Sequence, residues 1–353
     1  MKVLVTGGGG YIGVVLCERL LRGGHQVRVL DRLYWGRAPL QHFGESIEIR
    51  QQDVRAFDPS ALDGVDAVVH LAGLSNDPTA EYKPDANWEM NAVATETLAL
   101  ACKRSGIERF TFGSSASIYD GLGDGLFDET TKVAPRGAYS QSKFAAEQIL
   151  LRESCANFAP VILRQGTVYG HSARMRFDLV VNTFIKDALL RGTLYLHGGG
   201  WMWRPLVDVN DVAEAHVRAL EAPADAVGGE IFNVVHENFQ IRQLAMLVSG
   251  SLALQDRHVR LENAALPAIR RDYRCTNRKL ADHLGFVPRV TVLEAIERIL
   301  SFLPVESPLA LAHPRYYNIE WMTLLEEIGA SEAPFASVWD ATPSPVAKIA
   351  ALT

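Results

Sequence analysis

Four cysteines, Cys17, Cys102, Cys155 and Cys275, are all that the 353 residues carry, with no Cys-x-x-Cys and no close Cys/His spacing. That excludes a disulfide framework and a zinc module, and scattered thiols of this kind point to the cytoplasm. No uncharged apolar run approaches the roughly 20 residues that span a bilayer. The start, Met1-Lys2-Val3-Leu4-Val5-Thr6, leads into glycines and not into the apolar stretch and cleavage site of a signal peptide. Positive charge is not in excess either: 35 Lys+Arg against 41 Asp+Glu give a formal charge of −6. Neither nucleic acid nor an anionic membrane is therefore expected as the main partner. Repeats and low-complexity tracts are missing.

What remains is 48% hydrophobic and 22% charged, an ordinary balance for a globular protein. At about 150 residues per domain the length suggests two domains or one large one. Such a chain buries enough apolar surface to need no metal or disulfide staple.

Short β-branched runs at 2–6, 26–31, 47–51, 67–71, 109–113, 161–165 and 231–235 alternate with helix-like stretches at 12–23, 88–105 and 139–155. Strands separated by helix-length segments predict right-handed crossovers and a parallel sheet covered on both faces. Most of the runs are nearly continuous in apolar residues, as doubly buried strands require. After Tyr169-Gly170 the pattern loosens, returns to strand and helix at 206–237, and is mainly helical over 238–303. Residues 304–353, with six prolines, read as an irregular extension on the surface.

The segment Thr6-Gly7-Gly8-Gly9-Gly10-Tyr11-Ile12-Gly13 follows a predicted strand and opens a predicted helix. Gly7 permits the tight turn, Gly10 lets backbone N–H groups approach a pyrophosphate, and Gly13 lets helix and strand pack closely. Asp31, at the end of the second strand, suits the ribose 2′,3′-hydroxyls and repels a 2′-phosphate, which favours NAD over NADP. Arg32 beside it weakens that exclusion. Asp53, at the end of the third strand, either accepts from the adenine amino group or caps a turn. Leu71, Ala72 and Gly73 let the chain pass close to the cofactor after the fourth strand. Ser75, Asn76 and Asp77 follow and can face a sugar ring.

Tyr139 and Lys143 lie one turn apart on one helix face, and a nearby ammonium favours the phenolate, making the tyrosine a usable base. Ser115, at the end of the fifth strand, offers a hydroxyl to the oxygen on which Tyr139 acts. A surface Tyr–Lys pair is the bland alternative. The loop 171–178 is basic, with Arg174 and Arg176 either holding phosphate or a charged sugar, or solvated. Trp201, Met202 and Trp203 either flank a nucleobase or pack.

Taken in order, the glycine segment, Asp31, His70-Leu71-Ala72-Gly73, Asn91, the Ser-Ser-x-x-x-Tyr segment, Tyr139-x-x-x-Lys143, Arg164-x-x-x-Val168-Tyr169-Gly170 and Arg204-Pro205-Leu206-Val207-Asp208-Val209 resemble the extended short-chain dehydrogenase/reductase family. The likeness is to its nucleotide-sugar epimerase/dehydratase group, over residues 1 to about 300. It implies an α/β architecture: a Rossmann doubly wound parallel sheet for NAD (1–170 and about 206–237), with a smaller, mainly helical α/β substrate domain (about 171–205 and 238–303) for a nucleoside-diphosphate sugar. It implies a homodimer through the helices of 88–105 and 139–155.

Carried onto this sequence, the resemblance makes Tyr139 the base, Lys143 its charged and ribose-binding partner, Ser115 the hydrogen-bonding hydroxyl, and Asn91 a support for the active-site helix. Cofactor contacts are then Gly7, Gly10, Tyr11, Ile12, Gly13, Asp31, Arg32, Asp53, Val54, Leu71, Ala72, Gly73, Asn91, Tyr139 and Lys143. Substrate contacts are Ser75, Ser115, Thr167, Arg176, Arg204 and Arg271, the last two for the diphosphate. Thr167 stands where many members carry an asparagine. Ala116 and Ser117 follow Ser115 where 4,6-dehydrating members carry acids, which argues against that elimination. The leading expectation is an NAD-dependent epimerase. A keto-sugar reductase or dehydrogenase uses the same three residues, and a non-catalytic dinucleotide sensor shares the fold.

Overall fold

The computed structural model describes residues 1–266, 271–303 and 308–329. Its strands in chain order are β1 (Lys2–Thr6), β2 (Gln26–Asp31), β3 (Ile47–Gln51), β4 (Ala67–His70), β5 (Arg109–Ser115), β6 (Leu126–Phe127) and β7 (Ala159–Gln165). There follow β8 (Thr167–Tyr169), β9 (Thr193–His197), β10 (Trp203–Asp208), β11 (Ile231–Val234), β12 (Glu237–Gln240), β13 (Arg260–Ala264) and β14 (Arg274–Cys275). The helices begin with α1 (Tyr11–Arg22), α2 (Asp77–Tyr82), α3 (Pro84–Trp88), α4 (Ala94–Arg104), α5 (Ala138–Glu153) and α6 (Val180–Arg191). They continue with α7 (Val209–Glu221), α8 (Ala224–Val227), α9 (Ile241–Ala253), α10 (Arg278–Leu284), α11 (Val292–Phe302) and α12 (Asn318–Gly329).

Seven strands form one parallel sheet in the order β11-β7-β5-β4-β1-β2-β3. The expected doubly wound Rossmann arrangement is therefore present, and its direction of winding reverses between β1 and β4. Open α/β sheets bind ligands at that switch point, beyond the carboxyl ends of the strands. Alternation along β1 divides the core: Val3 and Val5 join the cluster that includes Leu16, Leu20 and Val212, whereas Leu4 joins Leu98, Ala146 and Leu150. α1 and α7 thus cover one face and α4 and α5 the other, each buried aliphatic side chain contributing roughly 1.5–3 kcal/mol.

The remaining strands make a three-stranded sheet, β12-β10-β8, and two short parallel pairs, β9 with β13 and β6 with β14. Helices α6, α9 and α11 pack together beside them.

One expectation is corrected here. Residues 308–329, read as irregular from their prolines, carry two short 3-10 turns and then α12. Apolar Ile319, Met322 and Leu325 recur every three residues after Pro314, so a helical face follows the last proline of the cluster. The segment is pinned by the Trp321 indole N–H to the Tyr34 carbonyl (2.8 Å), the Trp35 indole N–H to the Arg315 carbonyl (2.9 Å), and burial of Met322 in the α4–α5 side core. The same expectation for 304–307 and 330–353 lies outside the described residues.

Candidate active site

The β1–α1 turn is set by what its glycines omit. Gly7 sits at φ +73°, and a Cβ there would stand 2.7 Å from the Ala72 amide nitrogen. A Cβ on Gly13 would stand 2.2 Å from the Gly7 carbonyl oxygen. Both clashes are with backbone, so only glycine lets the turn press against the end of β4 and the helix press against the turn. Gly10 is the N-cap of α1 and gives it no side-chain acceptor, and the first turn holds no acidic residue. The helix N-terminus therefore opens onto the cleft with N–H groups available to an anion.

Asp31 closes β2 with its carboxylate held by two backbone donors, Gly9 at 2.9 Å and Leu33 at 2.7 Å. Burial pushes its carboxyl up from the usual range, and those two N–H groups oppose the shift. Asp53 is anchored further: it accepts from the Arg55 amide (2.9 Å), the Arg55 guanidinium (2.8 Å) and Arg32 (3.0 Å). Both of its oxygens are engaged, which is the turn-anchoring alternative, and the Arg32 head group is committed to it. Gln52, Asp53 and Val54 nonetheless form one wall of the cleft.

Ser115 ends β5 and caps the turn that follows, its Oγ accepting from the Ser117 amide at 3.2 Å. Ser140, next to Tyr139, donates to the Ser117 hydroxyl at 3.0 Å, which fixes the start of α5 against this turn. The Ser115 hydroxyl donates to Ser117 Oγ at 2.9 Å and lies close enough to the Tyr139 phenol to act on its ionisation. Lys143, one turn along α5, is 5% exposed with its ammonium 4.2 Å from the centre of the Phe112 ring. Burial pulls its pKa down to about 7.

Tyr139 departs from the expectation that Lys143 makes it acidic. Burial pushes its phenol up, and the first charge working against that is the Arg271 guanidinium. The nearby Ser115 hydroxyl also favours the phenolate. Lys143 is not among the leading charges acting on the phenol, and burial weakens its own charge.

Every expected cofactor contact except Asn91 lines one cleft, with Tyr139 and Lys143 on the β5 side of the switch point and Asp31 and Asp53 on the β2–β3 side. The glycine cradle and the length of that wall fit a dinucleotide. Asn91 is fully buried behind the cleft, within the π-helical turn Glu89–Val93, and donates to Ser142 Oγ, the Leu74 carbonyl and Asn87 Oδ1. Its bond to Ser142 ties it to α5, and it is not on the cleft wall.

Among the substrate candidates, Ser75 and Arg176 line the cleft. Arg176 closes its fork on Asp178 (2.8 and 2.9 Å) and reaches Ser75 at 3.0 Å, so its charge is already met. Arg204 and Arg271 come together: Arg204 donates to the Arg271 carbonyl, and Arg271 pairs with Asp77 and lies over the Tyr139 ring. Thr167 lies in β8 paired with Leu206, away from the cleft wall. Trp201 is 60% exposed, with Arg242 over its ring, outside the site.

Sequence reasoning missed Trp35, Gln165, Asn318 and Met322, all on the cleft wall. Gln165 ends β7, on the carboxyl edge of the sheet where open α/β sheets bind ligands. Asn318 and Met322 arrive from a segment with no motif of its own.

The model of the NAD dependent epimerase/dehydratase family matches residues 3–234. A UDP-glucose 4-epimerase of Mycolicibacterium smegmatis is 30% identical over 317 residues, covering 86% of this chain and 98% of that one. The UDP-glucose 4-epimerase of Thermus thermophilus, solved with NAD, is 28% identical with a TM-score of 0.73, over 86% of this chain and 100% of that one. MoeE5, solved with UDP-glucuronic acid and NAD, is 25% identical with a TM-score of 0.75, over 89% and 100%. The family match takes in the glycine cradle, Asp31 and the Tyr139–Lys143 helix alike, so this chain belongs to the NAD-dependent epimerase/dehydratase family of enzymes.

Proposed function

We propose that the chain is an NAD-dependent epimerase of a nucleoside-diphosphate sugar, acting by transient oxidation at C4. The observation that carries this is the placing of Tyr139 and Lys143 together on the wall of the cleft that also holds the glycine cradle, with the Ser115 hydroxyl close enough to the phenol to act on it. Tyr139 Oη takes the proton of the sugar hydroxyl while Ser115 Oγ holds the same oxygen, and Tyr139 returns the proton to close the cycle. NAD, when bound, supplies the hydride acceptor. Lys143 holds the cofactor ribose and adds a positive field, and Arg204 and Arg271 bind the sugar diphosphate. Ala116 and Ser117 supply no acid beyond Ser115, and Asp77, the carboxylate near Tyr139, is tied to Arg271. That set suits reversible oxidation better than elimination of water.

The four cysteines are free, which supports a cytoplasmic enzyme. No helix among the described residues is long and apolar enough to cross a membrane. A homodimer through α4 and α5 is supported by Trp88 and Val93, each 46% exposed beside those helices. Trp88→Glu should yield monomers in light scattering; an unchanged mass would remove that face from the interface.

The function is tested by purifying the protein, identifying NAD that survives gel filtration, and assaying a panel of nucleotide sugars. Epimerisation without net NADH formation supports the reading, and stoichiometric NAD(P)H consumption points to a reductase instead. Tyr139→Phe should lose about 10²–10⁴-fold in turnover while still retaining NAD. Unchanged turnover would defeat the assignment.

A further inference from the structure

Arg174 is 4% exposed, and among the described residues no carboxylate closes on it as an ion pair. Its Nη2 donates to Asn318 Oδ1 at 2.6 Å, but Nε and Nη1 are buried with no hydrogen-bond partner among the described residues. Two residues on, Arg176 is fully satisfied by Asp178 and Ser75, so the lack is particular to Arg174. A buried guanidinium with open donors is costly, and the Trp35 ring 3.7 Å from its central carbon offsets only part of that.

Arg174 lines the same cleft as Gly10, Tyr11 and Ile12, where α1 presents an N-terminus without a capping side chain or acidic residue. The loop carrying it is tied to that helix by the Ser172 hydroxyl, which donates to the Tyr11 carbonyl at 2.8 Å. Tyr11 and Asp31 are among the groups whose charge acts on it, so it stands at the β1–β2 end of the cleft, apart from Arg204 and Arg271. An open helix N-terminus and an unpaired buried cation on one cleft wall complement a diphosphate.

We propose that Arg174, stacked on Trp35 and positioned by Asn318, binds the diphosphate of the dinucleotide, which makes the α12 segment a working part of the cofactor site. This rests on reading the cleft as a dinucleotide site and is independent of which sugar is turned over.

The test is calorimetric titration of the full chain, freed of bound nucleotide, with ADP, adenosine, NAD and UDP. Arg174→Met should weaken ADP and NAD by about 10–100-fold and leave adenosine and UDP nearly unchanged. Asn318→Ala should show a smaller loss of the same pattern, and in the Arg174→Met background it should add nothing, since its effect runs through the arginine. The unliganded Arg174→Met chain should unfold at the wild-type temperature or above it. Equal losses for adenosine and ADP would make Arg174 a packing residue and overturn the proposal. A loss for UDP alone would move it to the sugar diphosphate, and an Arg174→Met chain that cannot fold would make it structural; either overturns the assignment. Failure to turn over any nucleotide sugar would leave the ADP result standing.

Discussion

The guanidinium of Arg271 lies over the Tyr139 ring, 5.8 Å from its centre, and pairs at the same time with Asp77. Three separate stretches of chain meet there: the start of α2, the first turn of α5, and the strand-like approach to β14. The arrangement joins substrate binding to acid–base chemistry, because one cation serves as candidate diphosphate ligand and as the first charge opposing the burial shift of the phenol.

Arg271→Met should therefore move the pH-rate limb that reports Tyr139 ionisation to higher pH and raise KM for the nucleotide sugar. Each unit of displacement costs about tenfold in rate on that limb. Arg271→Lys should restore part of the limb but less of KM, since an ammonium keeps the charge and loses the fork. Profiles of kcat/KM against pH decide it; a limb that stays in place would detach Arg271 from the chemistry.

Lys143 yields a prediction about cofactor affinity. With its pKa pulled down to about 7, the ammonium is half neutralised near physiological pH. Donation to ribose hydroxyls favours the charged form, so binding NAD takes up a proton. Affinity should then fall as pH rises above about 7, by at most about tenfold per unit. Lys143→Met should weaken binding at acid pH and flatten the dependence. Wild-type affinity that is constant from about pH 6 to about pH 9 would mean that the ammonium is not a donor to the ligand.

Beneath Lys143, Glu147 and Arg164 form an ion pair with 0% and 3% exposure, extended by Arg164 to the Tyr119 hydroxyl at 2.8 Å. Arg164→Met strands a buried carboxylate and should cost about 3–5 kcal/mol in denaturant unfolding. The double variant Glu147→Gln, Arg164→Met should recover much of that, because neither charge is then left alone. A single variant as stable as wild type would show that the carboxylate finds other donors.

The sheet was legible because strand runs and helical runs differ in period, and because Gly7, Gly13 and Asp31 sit where strand ends must be. Other features were not. Arg174 and Arg176 are two residues apart on one loop and look alike in sequence; only the fold gives Asp178 to one and leaves the other open. The charge that most opposes the burial shift of Tyr139 belongs to Arg271 from beyond β13, not to Lys143 four residues away on the same helix. The burial of Asn91 behind the cleft belongs to a π-helical turn that no local signal announces. Proline density hid α12, whose contribution depends entirely on the tertiary position of Asn318 and Met322.

Asp208 carries the last prediction. It caps α7, with Oδ1 accepting from the Asn210 amide at 2.8 Å and the Asn210 side chain at 2.7 Å. Its Oδ2 is buried with no partner among the described residues, against Gly170, which sits at φ +113° and where a Cβ would come within 2.4 Å of that oxygen. Burial pushes the carboxyl up to about 6 from an ordinary 3.8. Between those values the folded chain holds a proton that the unfolded chain has released, so stability falls as pH rises through the interval and stays lower above it. Asp208→Asn keeps the capping oxygen and removes the charge. It should stabilise the protein at pH 7 by on the order of 1–2 kcal/mol, with the gain shrinking as pH falls from about 6 to about 4. Thermal unfolding at the two pH values reads this directly. A variant that unfolds earlier than wild type at pH 7 would show that the ionised carboxylate is held, with Arg298 as the opposing charge to account for it.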